Sequence, residues 1–286
     1  MINSSKEAKA IKKLFKIHKV PELQSSYLIL GWREDAGKLG VGVIDFLNKE
    51  LGSEEFAQIE PLNFFSLSEV AVTNNIVQFP EGKFYSCKRS NLITFKSDLP
   101  SHEWYKFTNL ILDIAERFCH IKEVYTIGGI LSLIAHTSPR RISTVVNQPE
   151  LKEILQNFRL ETDMDYKTPP GGVPTLSSYL LWVAKRRDIA GVNLWGEVPF
   201  YFVEEDLRSR KRMLLFLDSR FNLGLDLKEI ELKIEEQNEG MAELRREDTE
   251  INKYIEMLER GIMLSQDEGE RLTIEVTRFL RKRSWS

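Results

Sequence analysis

The chain has 286 residues, 42% hydrophobic and 29% charged, a composition typical of globular proteins that fold in water. Its formal net charge of −3 excludes a global field that attracts nucleic acid or an anionic membrane. The longest apolar run, residues 127–135, is far shorter than the ~20 residues of a membrane-spanning helix. The two cysteines, Cys87 and Cys119, show no metal or redox spacing. We therefore expect a cytoplasmic protein with reduced thiols and no nucleic-acid or membrane partner.

The first predicted element is a short amphipathic helix close to the N-terminus. Apolar residues recur at helical spacing over residues 11–18, and Pro21 ends the pattern. Lysines occupy the other side, as on a solvated face. We assign residues 1–22 to an N-terminal helical extension.

A strand, a turn and a helix follow. Residues 27–30 are apolar without polar alternation, as in a strand covered on both faces. Apolar residues at helical spacing over residues 43–51 predict the helix. Between them, Gly31 and Gly37 allow sharp turns, and Asp35 could cap the helix by accepting hydrogen bonds from its first amides.

Short strands dominate the next part of the chain. Residues 55–59 predict a strand that Pro61 stops. Residues 76–79 and 83–85 flank a Pro-Glu-Gly turn and predict a β-hairpin. A further short strand is predicted at residues 91–95. Residues 104–118 place their apolar side chains on one face at a period of 3.6, which predicts a helix.

Strands then alternate with helices up to about residue 217. The predicted strands are at 123–127, ending in two glycines, at 142–146 and at 189–195, and the predicted helices are at 149–158, 175–187 and 204–217. This alternation predicts an α/β fold with a mostly parallel sheet covered by helices on both faces. Residues 23–224 form this predicted core domain.

The pattern of apolar and polar residues changes from residue 226 onward. Apolar residues recur at spacings of three and four within very polar surroundings, with possible breaks at Gly240 and Gly261. The pattern predicts that residues 225–286 form a charged helical hairpin with a narrow apolar stripe. This hairpin either packs back on the core or contacts another subunit.

Five stretches resemble, in order, the proteasome assembly chaperone 2 family. The turn at residues 31–37 resembles the Gly-Trp-x-Asp-Ala-Gly signature of that family, with Glu34 inserted. Leu-Trp-Gly-Glu-Val-Pro-Phe-Tyr at 194–201 is similar to its Leu-Trp-x-Glu-Val-Pro-x-Tyr motif. The other stretches are two glycines at 128–129 followed by a His-Thr motif at 135–140, the Pro-Gly-Gly turn at 170–172, and residues 223–227. In the His-Thr motif, Ser138 stands where the family has arginine, and Arg140 follows the proline.

The resemblance implies a three-layer α/β/α sandwich similar to phosphorylase/hydrolase-like folds, and homo-oligomers among prokaryotic members. It also implies a link to the proteasome, because eukaryotic and archaeal relatives dock on its α-ring through a tail of a hydrophobic residue, tyrosine and any residue. Here Trp285 takes the place of the tyrosine, and Ser284 is not hydrophobic. We therefore expect no clear docking tail, and an α-ring partner only in a host that has a proteasome.

The candidate ligand edge is the set of residues that these motifs place at strand ends, where α/β folds bind ligands. Its members are Gly31, Trp32, Asp35, Gly37, Gly128, Gly129, His136, Thr137, Arg140, Gly171, Gly172, Trp195 and Glu197. The sequence holds no Walker loop, Rossmann glycine motif or His-Glu-x-x-His, so we expect no cofactor and no metal.

Each member of the edge has a functional and a structural interpretation. The paired glycines could offer amides to an anion or form tight turns. His136, with Thr137 and Arg140, could bind an anion or hydrogen-bond its own loop. Glu197 could act as a general base or pair with Arg140 or a backbone amide. The two tryptophans of the edge could wall a pocket or seal the core.

Three hypotheses about function remain, of which the third is a scaffold with no ligand. The first is a cytoplasmic, oligomeric binding or assembly protein of the chaperone family. The alternative is a phosphorylase- or hydrolase-like enzyme acting on a small nucleoside-like or carboxylate substrate. The enzyme hypothesis requires that Asp35, His136, Arg140 and Glu197 converge on one cleft.

Overall fold

The structure is a computed structural model that describes residues 14–283 except 67, 69, 74, 166 and 169. The chain divides into two compact units. The first comprises described residues up to 34 together with 40–127 and 144–194, and the second comprises 35–39, 128–143 and 195 onward. The predicted division of the chain at residues 22 and 224 stays a prediction.

The described residues form ten strands and eight α-helices. The strands are β1 (Phe15–Ile17), β2 (Tyr27–Trp32), β3 (Glu54–Ile59), β4 (Ala71–Thr73), β5 (Ile76–Gln78), β6 (Gly82–Cys87), β7 (Leu92–Ser97), β8 (Glu123–Ser132), β9 (Ile142–Val146) and β10 (Ala190–Pro199). The helices are α1 (Leu39–Glu50), α2 (Trp104–Cys119), α3 (Pro149–Gln156), α4 (Leu176–Lys185), α5 (Leu207–Phe221), α6 (Lys228–Glu247), α7 (Thr249–Glu259) and α8 (Gln266–Arg283).

Eight of these strands form one large mixed sheet in the order β1-β3-β6-β7-β2-β8-β10-β9. The apolar strand β2 pairs in parallel with both of its neighbours, β7 and β8. The pairs β1–β3, β3–β6 and β6–β7 are antiparallel. The predicted α/β fold is confirmed, and these three antiparallel pairs lie on the β1 side of the sheet.

Three local predictions are wrong. Phe15–Ile17 is a strand that pairs with β3 instead of part of a helix, while residues 11–13 of that prediction lie outside the described residues. The predicted hairpin of 76–79 with 83–85 does not form, because β5 pairs with β4 while β6 pairs with β3 and β7. Strand β8 also continues through its two glycines to Ser132.

The core of the first unit is rich in aromatic side chains. Helix α2 buries the face that its periodicity predicts, and Phe107, in the first turn of the helix, is fully buried on that face. Its ring contacts Phe64 with a centroid distance of 5.1 Å and Phe65 with one of 5.8 Å. Such ring contacts add to the stability that burial of apolar area gives.

The second unit has its own core, to which the C-terminal helices contribute. Residues 225–283 are helical as predicted, but they form three helices where a two-helix hairpin was expected. Apolar side chains of α6, α7 and α8 pack with Tyr201 and Phe202, which follow β10. The stripe therefore packs on its own unit, the first of the two predicted alternatives. The predicted tail at 284–286 lies outside the described residues.

Candidate functional site

The thirteen residues of the candidate ligand edge divide between the two units. Gly31, Trp32, Gly171 and Gly172 belong to the first unit. The other nine belong to the second unit: Asp35, Gly37, Gly128, Gly129, His136, Thr137, Arg140, Trp195 and Glu197. The four residues that the enzyme hypothesis names, Asp35, His136, Arg140 and Glu197, therefore all belong to the second unit.

The first-unit members have structural roles. Trp32 is buried, and its indole Nε1 donates a hydrogen bond to Ser177 at 2.8 Å. This tryptophan seals the core, one of the two predicted alternatives. Gly31 lies within β2 and forms no turn; a Cβ atom there would come within 2.5 Å of the Gly40 backbone. Gly171 has a φ of +79°, so the turn alternative holds there, whereas Gly172 lies exposed in the same segment.

Asp35 tethers two segments of the second unit and does not cap a helix through its side chain. Its carboxylate Oδ2 accepts a hydrogen bond from the amide of Gly129 at 3.0 Å. Gly37 turns the same loop with a φ of +63°. At Gly128 and Gly129, close approach explains the glycines better than a turn. A Cβ atom would lie 2.8 Å from the ring of Trp195 at Gly128 and 2.0 Å from the Ala36 carbonyl oxygen at Gly129.

His136 is held by Tyr201, a residue that sequence reasoning did not select. The backbone amide of His136 donates a hydrogen bond to the Tyr201 hydroxyl at 2.5 Å. The imidazole Nδ1 lies 3.0 Å from the same hydroxyl. Because this hydroxyl accepts from the amide, it can donate its proton to Nδ1, which leaves the ring proton on Nε2. His136 thus bonds within its own unit, the structural alternative predicted for it.

Burial keeps the His136 imidazole neutral. His136 is only 5% exposed, and this burial, reinforced by the nearby cations Arg245, Arg140 and Arg208, lowers its pKa to about 4. The carboxylate of Glu259 opposes this shift. A neutral imidazole cannot act as a cationic anion-binding group near pH 7.

This pKa predicts how stability depends on pH. Between about pH 6.5 and 4 the unfolded chain protonates His136 while the folded chain does not, so stability falls as the pH is lowered. We expect a loss of up to about 1.4 kcal/mol per pH unit in this window. Urea unfolding across the window should show a shallower dependence for His136→Gln than for the wild type. His102→Gln, at an exposed histidine, is the matched control, and equal slopes for wild type and His136→Gln would contradict the prediction.

Arg140 forms a buried ion pair. Its Nε donates a hydrogen bond to Asp206 Oδ2 at 2.6 Å, and the two side chains are only 2% and 1% exposed. The other guanidinium nitrogens donate to backbone carbonyls of the preceding loop, those of Ala135, His136 and Ser138. This guanidinium therefore holds the loop in place, and its charge is compensated inside the protein.

Asp206 connects this ion pair to the start of α5. Its carboxylate accepts hydrogen bonds from the backbone amide of Arg208 at 3.1 Å and from the Ser209 hydroxyl at 2.7 Å. The first of these contacts caps the helix, which satisfies an amide that has no partner within the helix. One buried carboxylate thus stabilises both the loop before β9 and the helix after β10.

Glu197 pairs with Arg141, whereas the sequence suggested Arg140. Its carboxylate accepts hydrogen bonds from the Arg141 backbone amide at 3.2 Å and from the guanidinium Nη2 at 2.9 Å. The Glu197 side chain is 11% exposed and that of Arg141 is 61% exposed. This arrangement corresponds to the predicted structural alternative, a carboxylate that is held by a cation and an amide.

Thr137 connects its loop to the C-terminal helices. The Thr137 hydroxyl donates a hydrogen bond to Glu259 Oε1 at 3.0 Å, and the same carboxylate receives two hydrogen bonds from Arg245. The hydrogen-bonded Arg245 guanidinium lowers the pKa of Glu259. This network is internal to the second unit.

Two cavities of the second unit are not lined by the polar residues that the enzyme hypothesis needs. One cavity of about 640 Å³ lies beside Tyr201 and Leu207, between α6 and α8. Another, of about 460 Å³, is lined by Leu133, Phe200 and the start of α8. The four residues named for catalysis line neither of these two cavities. Among the described residues, no group of three or more acidic, histidine or cysteine side chains could hold a metal ion.

The residues that complete the site were outside the sequence-based selection. Tyr201 ends the Leu-Trp-Gly-Glu-Val-Pro-Phe-Tyr stretch, so its position in a motif was a signal for it. Asp206 precedes a helix, so a capping role was readable from the sequence. Its pairing with Arg140 was not, because 66 residues separate the two.

Comparisons with known proteins agree with this fold. The PAC2 family model matches residues 28–245. The archaeal proteasome activator PbaB of Pyrococcus furiosus is 20% identical, with a TM-score of 0.67, and the match covers 81% of this chain and 98% of that one. A Mycobacterium tuberculosis protein of unknown function is 16% identical, with a TM-score of 0.74 and coverage of 87% and 88%. No curated protein is a significant match.

A further similar structure is PbaA of Pyrococcus furiosus, an archaeal homolog of proteasome-assembly chaperone. It is 18% identical, with a TM-score of 0.64, and the match covers 88% of this chain and 100% of that one. Within the described part of the chain, no helix has both the length and the apolarity needed to cross a bilayer. Because the PAC2 family model matches most of the chain, residues 28–245, this chain belongs to the PAC2 family.

Proposed function

We propose that this chain is a protein-binding assembly factor that works as a homo-oligomer in the cytoplasm. The observation that carries the proposal is that the polar side chains of the candidate ligand edge are bound by other groups of the same chain. His136 is neutral and held by Tyr201, the Arg140 guanidinium is compensated by Asp206, and Glu197 is bound by Arg141. Side chains that are engaged in this way stabilise the fold and are poorly placed to bind a substrate.

The exposed surface of the first unit supports a role in protein binding. Trp182 on α4 is 47% exposed, and the Arg186 guanidinium lies over its ring at 5.0 Å from the centroid. Tyr179 contacts the same ring, with a centroid distance of 5.5 Å. Exposed tryptophan, tyrosine and arginine are the residues most enriched at the energetic centres of protein interfaces.

The similar structures indicate a class of partner. The two Pyrococcus proteins are a proteasome activator and a homolog of a proteasome-assembly chaperone. For this chain we propose proteasome α-subunits as the partner in a host that has a proteasome. The proposal includes no cofactor and no metal.

Glu197→Gln distinguishes a binding protein from the alternative enzyme. The substitution keeps an oxygen that can accept from the Arg141 amide, and it removes a pair in which Arg141 is mostly exposed. We therefore expect a change in the free energy of unfolding of less than about 1 kcal/mol. We also expect the variant to recover the same partner proteins as the wild type from the host lysate, measured by quantitative mass spectrometry of a tagged chain.

The same variant is assayed for turnover of nucleoside-like and carboxylate compounds. The binding hypothesis predicts no turnover that depends on Glu197. A turnover by the wild type that Glu197→Gln abolishes, with an unchanged unfolding midpoint, would establish the enzyme instead.

A further inference from the structure

Strands β4 and β5 form a separate, exposed hairpin in the first unit. Among the described residues, these two strands pair only with each other. We define the hairpin surface as Val72, Ile76, Val77 and Phe79. Their exposed fractions are 68%, 62%, 52% and 60%. Four large apolar side chains within eight residues are thus left in contact with water.

The geometry of this hairpin indicates that it lacks a further strand to pair with. Val72 lies directly opposite Val77 in the antiparallel register, so the two side chains share one face. Ile76 lies on the other face, and all three residues of β5 are exposed. A two-stranded sheet is marginally stable on its own, and three or more strands with an apolar face are needed for stability. Each strand of the pair also has an edge of backbone groups that can pair with a further strand.

The charge of the segment indicates what fits against it. Residues 61–80 of the sequence include one charged residue, Glu69, although 29% of the whole chain is charged. A partner selected by opposite charge would find little to pair with in these residues, and of the charged side chains beside Phe79, Arg33 already pairs with Glu81 and Asp98. An uncharged surface is complementary to its own copy, because no like charges meet when a two-fold axis brings the same patch onto itself.

We propose that the hairpin surface is the contact between two copies of this chain, with β5 of each copy antiparallel to β5 of the other. This inference rests on the proposed homo-oligomer and names the surface that forms it. The pairing joins two hairpins into a four-stranded sheet, which removes one edge from each copy and packs the β5 side chains of one copy beside those of the other. A two-fold axis through the middle of β5 brings Val77 next to its own copy, because antiparallel pairing of identical strands is symmetric.

Val77→Lys tests the proposal by placing like charges at the two-fold axis. We expect the mass measured by light scattering at micromolar concentration to fall to that of one chain, with an unchanged circular dichroism spectrum. Leu232→Lys is the matched control, because Leu232 on α6 is 61% exposed, and it should keep the mass of the wild type. A Val77→Lys variant that keeps the wild-type mass would overturn this inference and leave the oligomer standing. The inference would equally be overturned if Val77→Lys kept the wild-type mass but no longer bound another protein that the wild type binds. The occupant of the hairpin surface would then be that protein and not a second copy.

A cysteine variant tests the geometry without adding charge. The two native cysteines are buried, so an introduced cysteine is the reactive thiol at the surface. Under mild oxidation, Val77→Cys should form a disulfide-linked dimer in high yield, whereas Leu232→Cys should not. Equal yields for the two variants would contradict the proposed pairing. A wild-type chain that is monomeric at micromolar concentration would show instead that the proposed oligomer itself is wrong.

Discussion

Replacing Asp206 by alanine is expected to lower the free energy of unfolding by about 3–5 kcal/mol, because it leaves the buried Arg140 guanidinium without its counter-charge. The two side chains are 2% and 1% exposed, so water cannot take the place of the carboxylate. The cap of α5 is lost in the same variant. Urea unfolding measures the effect, with the slope of the transition as a check on two-state behaviour.

The matched control removes both charges together. In the double variant Arg140→Met/Asp206→Leu no buried charge is left unpaired, so the loss of stability should be clearly smaller than in Asp206→Ala. A double variant that is as unstable as the single one would show that the loop contacts of Arg140 outweigh its charge. An Asp206→Ala variant as stable as the wild type would refute the structural role of the pair.

Gly129→Ala is expected to destabilise the second unit by about 1–3 kcal/mol or more, because a Cβ atom would overlap the backbone. The added atom would lie 2.0 Å from the Ala36 carbonyl oxygen, and the adjacent Asp35 carboxylate accepts from the Gly129 amide. The backbone of Ala36 and the backbone of Gly129 can separate only if the loop that contains Ala36 moves.

Gly128→Ala provides the comparison at the neighbouring position. Its Cβ atom would lie 2.8 Å from the ring of Trp195, a half-buried side chain that can change its rotamer. We therefore expect the thermal unfolding midpoint to fall more in Gly129→Ala than in Gly128→Ala. The reverse order would show that the tether between Asp35 and Gly129 does not constrain the loop.

The sequence predicted elements whose periodicity extends over many residues. Helix α2 is the clearest case, because its apolar residues repeat over four turns and the face that they form, Phe107 included, is buried. Phe15–Ile17 shows the opposite situation. Three residues are too few to distinguish a helical period from a strand period, and pairing with β3, some forty residues away, decides the outcome.

The candidate ligand edge shows a similar division. The motifs at residues 135–140 and 194–201 identified His136, Arg140 and Glu197 as candidate site residues. The partner of His136, Tyr201, is 65 residues away and that of Arg140, Asp206, is 66 residues away, so only the fold brings each pair together. A sequence shows which side chains must be satisfied when they are buried. It does not show whether a substrate or another part of the chain satisfies them.

The mass of the full chain in solution tests the central claim most directly. Light scattering coupled to size-exclusion chromatography, at micromolar concentration and near neutral pH, gives this mass independently of molecular shape. An oligomeric binding protein predicts a stable multiple of the mass of one chain, with the same value for Glu197→Gln. A single-chain mass across the whole micromolar range would contradict the claim.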